Sequence, residues 1–349
     1  MRRLAAPLLL CLAPLVAQDD PVFTTDVSLV NLLVTVRDES GGPMGDLTRE
    51  DFQILDRGEP QDIAVFERRT NRPLSVVMLV DASLSTAIEL QFERDSAARF
   101  AKNLLGEGSQ PGDRIAVMKF SEGVELLADF SRSGENVRRA MNRVKPESGT
   151  SMYDAVVLGA EELERREGRR VLVIITDGGE TTSYSSFLDA VKSAHAADAV
   201  IYGLIVTPIK SDAGRNTGGE NALKMFAANT GGKSFFGSEE AELDQAFDEI
   251  IQNLRMQYML GYYPPEHDDP RSQFRDVKVN VTAPGAQIYS RNGYYVAPPR
   301  KKLPEPTNVV VPERVSIKQR PPGWRKAEPR AKPASHKAPP PKRSERGGP

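Results

Sequence analysis

Two apolar, β-branched runs in this chain each stop abruptly at a short polar segment carrying an aspartate. Leu74-Ser75-Val76-Val77-Met78-Leu79-Val80 runs into Asp81-Ala82-Ser83-Leu84-Ser85, and Val171-Leu172-Val173-Ile174-Ile175 runs into Thr176-Asp177-Gly178-Gly179. Runs with almost no polar alternation fit strands covered on both faces, the setting of a parallel sheet. From 74 to about 257 the pattern alternates between strand and helix. Strand candidates are 74–80, 114–120, 123–128, 170–176 and 199–206. Between them, Phe92, Ala97, Phe100, Ala101 and Leu104 share a helix face, as do Met152, Ala155, Val156, Gly159 and Leu163, and Phe187, Val191 and Ala194. A last helix is marked by Leu243, Phe247, Ile250, Ile251 and Leu254, with Ser238 as its expected N-cap. The alternation predicts an α/β fold with a doubly wound, mostly parallel sheet and helices on both faces. The pair 114–120 and 123–128, joined across Ser121-Glu122, predicts one antiparallel hairpin at an edge.

With 349 residues there is room for about two domains. The α/β pattern over 74–257 is flanked by β-rich segments at 18–73 and 258–297. The first holds strand candidates at 27–36, 52–56 and 63–66, and the second at 258–263, 277–281, 287–289 and 294–296. Neither flank has much core of its own. One arrangement packs both into a single β-sandwich with the α/β domain inserted between them; the other leaves two separate β appendages. Residues 1–17 read as a secretory signal peptide: Arg2 and Arg3, a short apolar stretch, then Ala17. That stretch is too short to span a bilayer. It holds Cys11, the one cysteine, so the expected mature chain has no disulfide and no thiol chemistry. From 298 to 349 the chain is basic and rich in proline, a composition that predicts disorder. Residues 300–349 hold 14 Lys and Arg against 4 Glu, while 18–299 hold 30 basic and 44 acidic residues. The tail is a solvated spacer or an electrostatic tether to an anionic envelope polymer.

Ligands in open α/β sheets bind where strands end at their carboxyl edge. Asp81, Ser83 and Ser85 alternate along a chain leaving a strand, so their side chains are expected to point one way. Thr150 opens a helical pattern after Gly149, and Asp177 leaves the second strand. Two carboxylates and three hydroxyls are hard oxygen donors suited to Mg²⁺, with Mn²⁺ or Ca²⁺ as substitutes. Two carboxylates only balance the ion, so a carboxylate from a partner still finds an attractive site. Asp154, one turn after Thr150, either holds a ligand hydroxyl or water in place or simply sits in the first helical turn. Taken singly, Ser85, Thr86, Thr150 and Ser151 are also good helix caps.

The order Asp81-x-Ser83-x-Ser85, Thr150, Asp177-Gly178 resembles the metal-ion-dependent adhesion site of the von Willebrand factor type A domain. The resemblance covers about 74–257. It implies that Asp81, Ser83, Ser85, Thr150 and Asp177 contact the metal directly or through water. It also implies that a protein partner donates Glu or Asp to the open position, and that helix 238–257 moves when it does. The flanks, through 33–38, 47–52, Tyr258 to Tyr263 and Gly293-Tyr294-Tyr295, are similar to von Willebrand factor A-related secreted proteins of acidobacteria. That similarity implies an exported bacterial protein, periplasmic or at the surface of a Gram-negative cell.

Other constellations fail. Ala227 to Ser234 nearly matches a phosphate loop, but Ala227 stands at its first glycine and the segment follows a helix instead of a strand, so Gly231-Gly232 reads as a helix stop. The three histidines are scattered, and no Cys/His metal spacing or G-x-S-x-G elbow occurs. Arg138, Arg139, Arg143, Arg165, Arg166, Arg169 and Arg170 read as solvated helix faces and ends. The expectation is an exported, non-enzymatic binding module with no specific affinity for nucleic acid. The alternatives are a structural envelope protein whose tail binds anionic polymer, and a metal-assisted hydrolase using Glu180 or Asp154 as base.

Overall fold

The computed structural model describes residues 29–68, 72–84, 90–177, 179–206, 217–265 and 273–296. The leader expected at 1–17 and the tail expected at 298–349 lie outside them, as does Ser85. In chain order the first flank gives β1 (Val30–Arg37), β2 (Phe52–Asp56), β3 (Glu59–Gln61) and β4 (Val65–Arg68). The α/β unit follows with β5 (Leu74–Asp81), α1 (Leu90–Leu104), β6 (Arg114–Phe120), β7 (Val124–Ser131), α2 (Gly134–Met141) and α3 (Met152–Glu164). It continues through β8 (Arg169–Thr176), α4 (Phe187–Ala196), β9 (Ala199–Val206), α5 (Thr217–Thr230), β10 (Ser234–Gly237) and α6 (Glu240–Met256). The second flank supplies β11 (Tyr258–Tyr262), β12 (Phe274–Val281), β13 (Gln287–Tyr289) and β14 (Gly293–Tyr295).

The α/β unit is built on a six-stranded sheet of order β10-β9-β8-β5-β6-β7. All pairs are parallel except the β6–β7 hairpin at one edge. The apolar run of β5 serves two cores at once. Val76, Met78 and Val80 pack with Phe100 of α1, Val137 of α2 and Phe247 of α6, while Val77 and Leu79 pack with Met152 of α3, Ala190 of α4 and Ala222 of α5. Alternate residues of a strand face opposite sides, so a strand covered by helices on both sides must be apolar throughout. The chain winds from β5 outward to β6 and then crosses to β8 on the other side of β5. That reversal opens a crevice at the carboxyl ends of β5 and β8.

The two flanks form one β-sandwich. One sheet has the order β13-β1-β11-β4 and the other β14-β12-β2-β3. The central pair of each sheet takes one strand from each flank, β1 with β11 and β2 with β12. Leu32, Val34, Ile54, Leu260, Val277 and Val279 share one core. Neither flank can bury its apolar face without the other. At the center the Asp56 carboxylate accepts from Arg275 Nε at 3.0 Å, Tyr262 OH at 2.8 Å and Tyr294 OH at 3.1 Å. Burial and this carboxylate push both phenols upward, Tyr294 to about 12.

The α6 helix is clasped by the sandwich before the chain enters β11. Arg37 on β1 donates to Asn253 Oδ1 from Nε at 3.0 Å and from Nη2 at 2.6 Å, and lies 3.2 Å from Glu249. Two sequence expectations need correction. Ser238 does not cap α6: its backbone N–H and hydroxyl both donate to Glu242 Oε2, at 2.7 and 3.0 Å, and Glu239 takes the N-cap position. Arg169 and Arg170 are not on a solvated helix. They open β8, and Arg169 is only 6% exposed. Packing the sandwich against the sheet edge buried a residue that local charge marked for solvent.

Candidate functional site

Asp81 is the last residue of β5 and is fully buried. The parallel β5–β8 register pairs Val80 with Ile175, which brings Thr176 beside it. The Thr176 hydroxyl donates to Asp81 Oδ2 at 2.5 Å, and the Ser83 N–H donates to Asp81 Oδ1 at 2.8 Å. Burial pushes the Asp81 carboxyl up to about 6, and the negative charge of Asp177 adds to the rise against the two hydrogen bonds. Two carboxylates that repel each other in a buried crevice are an arrangement a divalent cation stabilises.

Ser83 is 4% exposed and forms a parallel bridge to Glu147. The N–H of Glu147 donates to Ala82 O at 2.7 Å, and its carboxylate accepts from Lys119 Nζ at 2.6 Å and Ser121 Oγ at 2.8 Å. These bonds hold the loop that leads to Thr150. Gly149 in that loop has φ +79°, and a Cβ there would stand 3.0 Å from Glu122 Cα and 3.1 Å from Glu122 N. Only glycine meets both demands. We expect Gly149→Ala to cost about 1–3 kcal/mol through backbone strain and to displace Thr150. Urea unfolding reads the first effect, and a weakened Mg²⁺ titration reads the second.

Thr150 is 5% exposed and does not cap α3, whose N-cap is Ser151 without a side-chain cap bond. Its backbone N–H donates to Thr181 Oγ1 at 2.9 Å, and its carbonyl accepts from Thr181 N at 2.8 Å. A Cβ placed on Gly179 would lie 3.4 Å from both Asp177 Oδ1 and Thr150 Oγ1. The Asp177 and Thr150 oxygens thus flank one small cradle that a glycine leaves open. Asp81 interacts with the charge of Asp177 and accepts from the Ser83 N–H, and Asp177 and Thr150 share the space beside Gly179; Ser85 and Gly178 lie outside the described residues. The donor set of carboxylates and hydroxyls fits a hard cation such as Mg²⁺. Among the described residues no group of three or more His, Cys, Asp or Glu is placed to hold a metal ion.

Asp154 braces the neighboring loop. Its two oxygens accept from Tyr184 N at 3.0 Å and Ser185 N at 2.8 Å. Glu180 is committed in the same way, to Tyr153 N at 3.0 Å and to Ser183 N and Oγ at 2.9 and 2.8 Å. Thr176, Thr181 and Glu147 were not singled out from sequence. Thr176 had a signal, since it precedes Asp177 at the same strand end; Glu147 had none, because its contacts are made across the fold.

The von Willebrand factor type A domain family model matches residues 76–180. No curated protein matches the chain. Similar solved structures include the vWF domain of the type V pili tip protein Mfa5 from Porphyromonas gingivalis, at 16% identity and TM-score 0.44, over 52% of this chain and 95% of that one. BatB from Bacteroides thetaiotaomicron shows 16% identity and TM-score 0.41 over 51% and 98%. A von Willebrand factor type A protein from Catenulispora acidiphila shows 12% identity and TM-score 0.43 over 77% and 74%.

Proposed function

From the premise that residues 76–180 are a von Willebrand factor type A domain, we propose that this chain is a non-enzymatic protein-binding module whose site takes a divalent cation. Asp81, Ser83, Ser85, Thr150 and Asp177 would hold Mg²⁺, with Mn²⁺ or Ca²⁺ as substitutes. The bound ion supplies a positive center that a Glu or Asp of a protein partner can reach. The observation that carries this reading is the buried Asp81 carboxylate beside the charge of Asp177, at a crevice that Thr150 also lines. Two like charges in that setting are costly alone and favorable around a cation.

Asp154 and Glu180 spend their oxygens on backbone N–H groups, which supports a braced binding rim over a site for proton transfer. No helix among the described residues is long and apolar enough to cross a membrane. The leader-like segment over 1–17 supports a location outside the cytoplasm, periplasmic or secreted.

The test is calorimetric titration of the chain with Mg²⁺, followed by pull-down from native envelope extract in Mg²⁺ or in EDTA. We expect saturable uptake at or below millimolar Mg²⁺, and partner capture that EDTA abolishes. Asp177→Ala should lose both. Capture that is indifferent to EDTA and to Asp177→Ala would refute the metal-dependent reading.

A further inference from the structure

We propose that Tyr184 and Leu84 are the apolar seats of the binding surface, and that the partner is a protein segment presenting one acidic side chain with a large apolar side chain on each side of it. This rests on the metal-dependent reading above and names the chemistry of its partner. Tyr184 and Leu84 are the two most exposed large apolar side chains among the described residues: Tyr184 is wholly exposed, and Leu84 is 65% exposed. Both stand beside the crevice. Leu84 follows Ser83 at the start of the connection from β5 to α1, and Tyr184 lies in the connection from β8 to α4. Helices α1 and α4 cover opposite faces of the sheet, so the two connections leave the crevice in opposite directions.

A lone exposed apolar side chain needs no explanation. Here the two largest exposures fall at one crevice, and one of them sits on a loop braced along its whole length. From Thr181 to Ser186 every backbone N–H has an acceptor. Thr181 and Thr182 donate to Thr150 O at 2.8 and 3.2 Å, and Ser183 donates to Glu180 Oε1 at 2.9 Å. Tyr184 and Ser185 donate to the two oxygens of Asp154 at 3.0 and 2.8 Å, and Ser186 donates to Asp189 Oδ2 at 3.0 Å. The first bonds tie the loop to Thr150 itself. The Asp154 bonds tie Tyr184 to the first turn of α3, roughly 5 Å farther along that helix. The loop is thus held in one shape while its largest side chain buries nothing. A tyrosine presented this way supplies contact area with little ordering cost on binding.

The surrounding charge restricts the partner to a single acid. Glu122 lies against Gly149, Glu147 bridges to Ser83, and Asp154 and Glu180 hold the Tyr184 loop. A polyanion or an anionic lipid surface meets these four carboxylates as well as the cation, and like charges facing each other are costly. One carboxylate aimed at the cation avoids them. Beside it the surface offers apolar contact, from the Leu84 side chain and from the amphipathic ring of Tyr184. An extended segment advances about 3.3 Å per residue, so apolar side chains about two positions from the acid come within reach of these seats.

The test titrates the full chain with three synthetic peptides by calorimetry, in Mg²⁺ and in EDTA. The first peptide has one glutamate with a phenylalanine two positions away on each side. In the second both phenylalanines are replaced by serine, and in the third by aspartate. In Mg²⁺ the first should bind saturably, about tenfold or more tighter than either of the others. Tyr184→Ser should weaken it about tenfold or more and Leu84→Ser about threefold or more, with melting midpoints recorded for both, while Tyr184→Phe should keep it. Mg²⁺ uptake by Tyr184→Ser should match wild type. No saturable binding of the first peptide to a chain that takes up Mg²⁺, equal binding of the serine peptide, or full binding by Tyr184→Ser would overturn the apolar seats and leave the metal-dependent reading standing. Tighter binding of the aspartate peptide would overturn the single-acid assignment. Self-association of the wild-type chain that Tyr184→Ser abolishes would give the surface to a second copy of this chain instead. Absent Mg²⁺ uptake, or binding of the first peptide that EDTA does not weaken, would refute the metal-dependent reading itself and the acidic half of this proposal with it.

Discussion

Asp81→Asn is expected to abolish Mg²⁺ uptake and, at neutral pH in EDTA, to stabilise the chain by about 2–3 kcal/mol. Asparagine can keep both local bonds, accepting from the Ser83 N–H with Oδ1 and donating to Thr176 Oγ1 with Nδ2. What it removes is a buried charge facing the charge of Asp177. The Asp81 carboxyl is raised from 3.8 to about 6 in the fold. The folded state thus holds the proton more tightly than the unfolded chain. Relative stability from this group is fully present below the unfolded value and is lost as pH rises through about 6. Wild type in EDTA should therefore lose stability across that window, and the asparagine variant should not. Urea unfolding at about pH 4 and near neutrality measures both arms. An asparagine variant less stable than wild type near neutrality in EDTA would mean that the hydrogen bonds of Asp81 outweigh its buried charge. The electrostatic case for a cation at this crevice would then fail.

Asp56→Ala should cost about 3–5 kcal/mol, the range for removing one partner of a buried ion pair. The Asp56 side chain is fully buried and the Arg275 side chain is 4% exposed. Removing the carboxylate leaves a buried guanidinium without its anion and leaves the Tyr262 and Tyr294 hydroxyls without that acceptor. Asp56 comes from the first flank and its three donors from the second, so the loss falls on the contact that joins them. Hydrogen exchange should rise together in β1, β2, β11 and β12, while the β5 and β8 amides stay protected. A loss confined to β2 would show that the flanks are stabilised separately. Asp56→Asn should be milder, because an amide oxygen still accepts one of the three bonds.

Much of the α/β unit is legible in the chain because its signals are local. A strand covered on both faces must be apolar without alternation, and β5, β8 and β9 are written that way. The edge hairpin of β6 and β7 follows from a connection too short for a crossover. Strand direction alone sends Asp81 and Asp177, which end or follow β5 and β8, to one edge of the sheet, whereas Thr150 reaches the Asp177 side chain through the loop before α3. The flanks were legible only as β-rich; the two arrangements left open by the sequence are decided by the pairing of β1 with β11 and β2 with β12.

Sequence alone therefore determined the type of most elements of the α/β unit and the edge of the sheet where its strand-end carboxylates lie, because backbone periodicity and strand polarity are properties of neighboring residues; the α2 helix was not among them. Tertiary structure alone decided which distant groups share an environment. It buried Arg169 at a seam that local charge had marked for water, put Thr176 on the Asp81 carboxylate, and set Asp56 among three donors more than two hundred residues away. Desolvation and charge pairing depend on everything packed around a group, and nothing in the adjacent sequence encodes that surrounding.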